Sequence, residues 1–212
     1  TGTGRGFCSG ANLAGGVGTQ GGGDPKKLDA GAALDTVYNP LVTAMRNLPV
    51  PFITAVNGAA AGVGCSFGLL GDMILAAESA YFLQAFRRIG LVPDGGSTYM
   101  LARAVGRARA MEMMLMGEKI PAAKALEWGL VNRVVPDADL MAEALKLATE
   151  LANGPTKTLS MIRQLGWASL DNTWEEQLQA ERFAQRDAGR TADFKEGVTA
   201  FLTKRPAQFA GA

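Results

Sequence analysis

The chain is 212 residues long, enough to bury a substantial core in one main domain with a smaller appendage, and its 21 Lys and Arg against 20 Asp and Glu leave a net charge of +1, which supplies no bulk attraction to nucleic acid or an anionic membrane. It contains no histidine, so serine–histidine, cysteine–histidine and histidine–metal mechanisms within this chain are excluded. Two cysteines, Cys8 and Cys65, sit among small, glycine-flanked residues; they read as free thiols in a reducing compartment, with a bridge between them left open.

The first residues form a glycine-rich turn with no initiating Met, as though a preceding strand had been cut away, and they lack both the basic start and the apolar core of a secretion signal. Gly4-Arg5-Gly6-Phe7-Cys8-Ser9-Gly10-Ala11-Asn12-Leu13 reads as a small-residue loop. Residues 14–31, with Gly21-Gly22-Gly23 among Lys, Asp and Pro, hold too few apolar groups to pack and predict a mobile surface loop. The spacing of Leu41, Met45 and Leu48 predicts a helix over 34–48, started or kinked by Pro40. Phe52-Ile53-Thr54-Ala55-Val56, closed by Asn57-Gly58, predicts a buried parallel strand.

A helix over 62–71 follows, its small residues allowing close backbone approach to a neighbour or ligand, then strands over 72–77 and 81–83; the alternation predicts α/β layers. Pro93-Asp94-Gly95-Gly96 is a sharp turn into a helix at 97–103, and Gly106 separates it from another at 108–115. After Pro121 come a helix over 122–128 and a strand over 130–134. From 137 onward the pattern is helical: Leu140, Ala144, Leu147 and Leu151 share one face. Pro155 opens a helix carrying Leu159, Ile162 and Leu165, and Trp174, Leu178 and Phe183 mark the next. A terminal segment over 194–209 keeps an apolar face as far as Leu202. No apolar run reaches the roughly 20 residues that span a bilayer, so a soluble, cytoplasmic protein is expected. The layout is an α/β core over 1–136 and a helical region over 137–212 suited to oligomer contacts.

Several of these segments, in this order and spacing, resemble the crotonase superfamily of enoyl-CoA hydratases and isomerases. They are residues 6–13, 57–72, 90–96 and 106–112, the Gly129-Leu130-Val131 element, and Phe201-x-x-Lys204-Arg205-x-x-x-Phe209. The resemblance implies an α/β spiral of ββα units with a C-terminal helical trimerisation region, its first units missing here. It also implies an acyl-CoA thioester substrate, coenzyme A arriving as part of that substrate with no separate cofactor or metal, and a homotrimer or dimer of trimers that binds neither nucleic acid nor membrane. It places oxyanion-hole N–H donors at Ala11 and Val63. Two fixed donors about 3 Å from a thioester oxygen stabilise the charge that develops there, and losing one costs roughly 3–4 kcal/mol.

The two glutamates that activate water in hydratases of this family fall here on Ser66 and Phe86, neither of which is a carboxylate, so two-glutamate hydration is not expected. Gln84-Ala85-Phe86 and Gly90-Leu91-Val92-Pro93-Asp94-Gly95-Gly96 resemble the ring-modifying branch, the 1,2-epoxyphenylacetyl-CoA isomerases, in which an aspartate at the position of Asp94 is the acid/base. Read locally, Pro-Asp-Gly is also ordinary turn and N-cap chemistry. A catalytic Asp94 needs a raised pKa, for which Leu91 and Val92 are the apolar neighbours in sequence. Ser66, Phe86, Leu91 and Glu112 are candidates for the acyl pocket. Phe7, Ser9, Arg87 and Lys204 are candidates for coenzyme A contact, although Arg87-Arg88 also reads as a solvated face and Lys204 as a helix-end charge. The expected activity is an acyl-CoA isomerase that shifts a double bond or rearranges a ring-derived enoyl-CoA through a thioester enolate. An enoyl-CoA hydratase and a non-catalytic acyl-CoA-binding or assembly protein are the alternatives.

Overall fold

The structure is a computed structural model that describes residues 1–12 and 29–212. The loop expected over 14–31 therefore falls largely outside the described residues, as does Leu13 of the first motif. The chain divides into two compact units: Thr1–Arg46 with Ile53–Met141, and Asn47–Phe52 with Ala142–Ala212.

The first unit holds seven strands among its described residues. β1 (Gly6–Cys8), β3 (Ala59–Ala61), β5 (Tyr81–Leu83) and β6 (Lys119–Pro121) form one sheet in that spatial order, and β2 (Ile53–Val56), β4 (Met73–Ala77) and β7 (Arg133–Val135) form the other. All pairings are parallel except β5 with β6. β2 and β4 are apolar runs, which parallel strands covered on both faces require; their register sets Ile53 beside Met73 and Val56 beside Ala76.

Four strands differ from the expectation. β1 and β3 lie in segments that read as loops because Gly and Ala are poor strand formers. Here pairing on neighbouring strands outweighs propensity, and alanine leaves room for a helix to approach. β6 alternates exposed, buried, exposed around Ile120 and carries Pro121, tolerated because β6 is an edge strand. The strand expected at 130–134 begins instead at Arg133, after the buried Leu130 and Val131.

A π-helical turn, Leu34–Tyr38, runs directly into α1 (Asn39–Arg46), in place of one continuous helix over 34–48. α2 (Val63–Leu69) is shorter than the expected 62–71 and packs against β1, β2, β3 and α3. A side chain at Gly64 would sit 2.3 Å from the Cys8 carbonyl oxygen, and one at Gly68 would touch Phe7, Val56 and Phe82. The small residues of this helix thus set how closely it approaches both sheets. A 3₁₀ turn, Ala85–Ile89, follows β5 and was not legible as a separate element. α3 (Ser97–Met116) is interrupted by non-helical backbone at Gly106, where the two expected helices meet, and α4 (Ala122–Glu127) follows β6. Val56, Leu75, Phe82 and Leu101 are fully buried in this unit; each such side chain contributes roughly 1.5–3 kcal/mol relative to its exposed state.

α5 (Leu140–Ala152) leads out of the first unit. The second contains α6 (Thr156–Ala168), α7 (Trp174–Ala188) and α8 (Ala192–Leu202). Thr173 and Glu176 close a capping box at the start of α7, and the Thr191 hydroxyl accepts from the Phe194 N–H at the start of α8. Arg163, buried on α6, donates to the Leu48 carbonyl at 3.0 Å and lies over the Phe52 ring, fastening Asn47–Phe52 to this unit. Both cysteines are free.

Candidate active site

The two small-residue loops converge. A Cβ built at Gly10 would lie 3.0 Å from the Ala61 carbonyl oxygen, and one at Gly62 would lie 3.9 Å from the Gly10 Cα. Ala11 follows Gly10 in an exposed bend, and Val63, buried, opens α2 immediately after Gly62. The Val63 N–H belongs to the first turn of the helix, which has no acceptor within it. The Gly62 N–H donates to the Leu83 carbonyl at 2.9 Å, so the end of β5 holds this loop in place. The Phe86 ring, buried in the 3₁₀ turn, comes within 4.0 Å of the Cβ position of Gly62. Ala11, Val63 and Phe86 are therefore gathered at one end of the β1–β3–β5 sheet.

Asp94 reaches the same helix from the turn before α3. Its main-chain carbonyl accepts from the Ser66 hydroxyl at 2.9 Å, the Ser97 hydroxyl at 2.9 Å and the Ser97 N–H at 3.1 Å. Gly95, at φ +59, occupies left-handed backbone that L side chains rarely adopt, and a Cβ there would meet the Ser66 Cβ at 2.8 Å and Val63 Cγ2 at 3.1 Å. The turn thus lies directly on α2, one helical turn from Val63. The Asp94 side chain does not serve as an N-cap: the capping position of α3 is Gly96, with no side-chain cap bond. Oδ1 of Asp94 is buried and has no hydrogen-bond partner among the described residues. Burial raises the Asp94 pKa above the ordinary aspartate value, because the charged form loses solvation and Oδ1 gains no hydrogen bond in return among the described residues.

The source of that burial differs from the expectation. Val92 is 80% exposed and Leu91 37%, and apolar groups standing in water exclude little solvent from a neighbouring carboxylate. The adjoining Gly95 lies close against Val63 and Ser66 of α2. Leu91 is accordingly corrected as a desolvating neighbour, and Glu112 is exposed on the surface of α3. Ser66, by contrast, is fully buried, with its hydroxyl engaged by Asp94.

The coenzyme A candidates are scattered. The Phe7 ring faces α2, 3.5 Å from where a Cβ at Gly68 would lie, while Ser9 is exposed beside the first loop. Arg87 and Arg88 are not simply solvated: Arg87 donates to the Met116 carbonyl at 3.2 Å and Arg88 to the Gly117 carbonyl at 2.7 and 3.0 Å, capping the C-terminus of α3. Lys204 has left-handed backbone just beyond α8 and is exposed.

Sequence reasoning missed Ser97 and Gln84. Ser97 is the first residue of α3, and a hydroxyl directly after Asp-Gly-Gly was an available signal. Gln84 is fully buried with neither amide atom in a completed hydrogen bond among the described residues. Burial pushes the neighbouring Cys65 thiol up to about 12, opposed only in part by the Gln84 side chain and the Leu83 backbone, so Cys65 stays an unreactive thiol at neutral pH. A separate cleft of about 430 Å³ lies between α6 and α7, lined by residues including Ile162, Leu165, Leu178 and Gln185. It shares no residue with the Asp94 corner, and its charged groups, Glu181 and Arg182, are exposed; it lacks the buried carboxylate that chemistry at a carbon acid requires. Among the described residues no cluster of three or more His, Cys, Asp or Glu could hold a metal ion, and no helix is long and apolar enough to cross a membrane.

Comparison with known proteins agrees with this arrangement. Residues 1–212 match the family model described as enoyl-CoA hydratase/isomerase. The chain is similar to the 1,2-epoxyphenylacetyl-CoA isomerase of Escherichia coli, with 47% identity over 213 residues that cover 100% of this chain and 79% of that protein. It is 44% identical over 211 residues to a Rhodobacter capsulatus protein named "Probable enoyl-CoA hydratase", covering 100% of this chain and 79% of the relative. Its fold matches the crystal structure of an enoyl-CoA hydratase from Polaromonas sp. JS666 with a TM-score of 0.88 at 35% identity, over 99% of this chain and 80% of that one. The α/β crotonase fold with a helical C-terminal region is therefore the fold of this chain.

Proposed function

Because this chain belongs to the enoyl-CoA hydratase/isomerase family, we propose that it is an acyl-CoA isomerase in which Asp94 is the single acid/base. The observation that carries this reading is the state of that carboxyl. It is half-buried, carries a raised pKa and an unpartnered Oδ1, and belongs to a turn pinned to α2 just beyond the Val63 N–H. The other two positions where a family hydratase would carry glutamate hold Ser66, whose hydroxyl is spent on Asp94, and Phe86, an apolar ring beside Gly62.

In the proposed reaction the thioester oxygen rests on the N–H groups of Ala11 and Val63. Ionised Asp94 removes a proton from the α- or γ-carbon of the acyl chain, and the electron pair moves into the thioester as an enolate held by those donors. Protonated Asp94 then returns the proton to the other carbon on the same face, so the double bond shifts and no water is added. The same enolate serves rearrangement of a ring-derived enoyl-CoA, a reading supported by the Escherichia coli relative, which is named for the ring-bearing 1,2-epoxyphenylacetyl-CoA. A pKa lifted toward neutrality suits both half-reactions, since one group must be base and then acid. Coenzyme A enters as part of the substrate, with Phe7, Ser9, Arg87 and Lys204 as proposed contacts. A homotrimer or dimer of trimers is proposed on the exposed apolar residues of the helical unit, among them Trp174 at 72% and Phe201 at 83% exposure.

Hydration is the second reading, favoured by the relative named as a hydratase at 44% identity. The two are separated by incubating the protein with matched 3-enoyl-CoA and 2-enoyl-CoA in deuterated water and following mass and ultraviolet absorbance. Conversion of the 3-enoyl compound with deuterium uptake and no water adduct is the expected result. A water adduct establishes hydration instead, and binding with neither product supports a non-catalytic acyl-CoA binder.

A further inference from the structure

The turn that presents Asp94 is held by an unusual concentration of donors on one acceptor. A peptide carbonyl has two lone pairs, yet the Asp94 carbonyl receives two hydroxyls and one N–H, all between 2.9 and 3.1 Å. Both serines have no exposed surface. One comes from the middle of α2 and the other from the first turn of α3, so the carbonyl is a junction between the helix that Val63 opens and the helix that Asp94 precedes. The next two residues, Gly95 and Gly96, are both left-handed at φ +59 and +78, and without a lock such a turn has many accessible conformations. The hydroxyls are not needed to start α3, because the Ser97 N–H already bonds the same carbonyl.

We propose that Ser66 and Ser97 are positioning residues for the reaction: together they fix the Asp94–Gly95 peptide plane and thereby the direction in which the Asp94 carboxyl leaves the backbone. This inference rests on the reading of Asp94 as the acid/base. One backbone torsion, ψ of Asp94, joins this peptide plane to the Cα–Cβ bond, so a carbonyl bound from two helices restrains that torsion and aims the carboxyl without touching it. That matters for this carboxyl because Oδ1 has no partner of its own among the described residues to hold it. Proton transfer to and from carbon tolerates little misplacement, and an error near 1 Å can cost about 100-fold in rate. Ser66 thus acts through Asp94 instead of lining the acyl pocket.

The test is a double-mutant cycle with Ser66→Ala, Ser97→Ala and Asp94→Asn, each assayed for kcat and KM with the 3-enoyl-CoA. Each serine variant should lose about 10-fold in kcat with KM within about two-fold, because binding is left intact and only placement suffers. In the Asp94→Asn background neither serine substitution should reduce the residual rate further, since there is no base left to position. Native-like circular dichroism with a single cooperative melt qualifies each variant; should Ser66→Ala fail to fold, Ser97→Ala, which keeps the N–H bond at the start of α3, carries the same test. Unchanged kcat in folded serine variants, or the same 10-fold loss in the Asp94→Asn background, overturns the positioning role while leaving Asp94 as the base. Full activity of Asp94→Asn itself overturns both.

Discussion

Asp94, in the corner beside α2, and Glu196, in the C-terminal tail, are carboxylates held in opposite ways. Glu196 on α8 pairs both oxygens with Arg205 at 2.6 and 2.8 Å and also accepts from the Gln208 N–H at 2.8 Å, which holds its pKa down at about 2. Nearby, Oδ1 of the buried Asp193 accepts from the Ala210 N–H while its Oδ2, like Oδ1 of Asp94, has no hydrogen-bond partner among the described residues, and the Phe209 ring packs on Gly197. Every interaction there folds the chain end back onto α8. At Asp94 the hydrogen bonds go to the main chain instead, the side chain receives none at Oδ1, and the pKa rises. The difference separates a carboxylate used to hold structure from one kept in reserve: satisfied charge stabilises, and unsatisfied charge held in place is available to take a proton.

That contrast can be broken at several points. The largest structural effect is expected at the base of the corner, where Gly64→Val would drive a side chain into the Cys8 carbonyl and part α2 from β1. Overpacking of this kind costs about 1–3 kcal/mol, to be read from urea unfolding, with loss of activity even where the variant folds. A smaller effect of opposite sign is expected at Asp94. The native state holds this proton more tightly than the unfolded chain, so stability falls as pH rises from the ordinary aspartate range of about 3.9 through the raised native value. Asp94→Asn should therefore melt higher than the parent at neutral pH, and the gain should vanish on acidification below that range. A parent and variant that melt together at all pH values would show that the charge is not destabilising.

Glu196 has the reverse sign. Its native pKa lies below the unfolded value, so its contribution is present above about 4.5 and is lost as pH falls toward about 2. Glu196→Gln should melt slightly lower at neutral pH and flatten the acid limb of the melting curve, without altering turnover. The smallest effect on folding is expected at Phe201, 83% exposed: Phe201→Ser should change unfolding by no more than about 0.5 kcal/mol. Sedimentation of the same variant tests the proposed trimer, which should dissociate at a higher protein concentration than the parent's.

The legible parts of the fold were those where side-chain pattern and burial coincide. β2 and β4 are largely apolar runs, Gly106 does interrupt α3, and Trp174, Leu178 and Phe183 do fall on one helix, α7. The strands β1, β3 and β6 were hidden because segments of three residues, each holding Gly, Ala or Pro, acquire strand geometry only from partners remote in sequence. The oxyanion loops and Asp94 were named from motif order alone. What the motifs could not express was the carbonyl junction: Ser66 and Asp94 are 28 residues apart, and their bond runs from a side chain to a backbone atom. Adjacency in sequence likewise favoured Leu91 and Val92 as desolvating neighbours of Asp94, whereas both stand exposed in the fold.

The most direct test of the central claim is exchange at carbon, followed by mass spectrometry of an enoyl-CoA held with the protein in deuterated water. The parent should wash deuterium into the acyl chain at the rate of isomerisation, and Asp94→Asn should lose that exchange by about 100-fold or more while still binding the thioester. Exchange that persists undiminished in a folded Asp94→Asn variant would contradict the assignment of Asp94 as the acid/base.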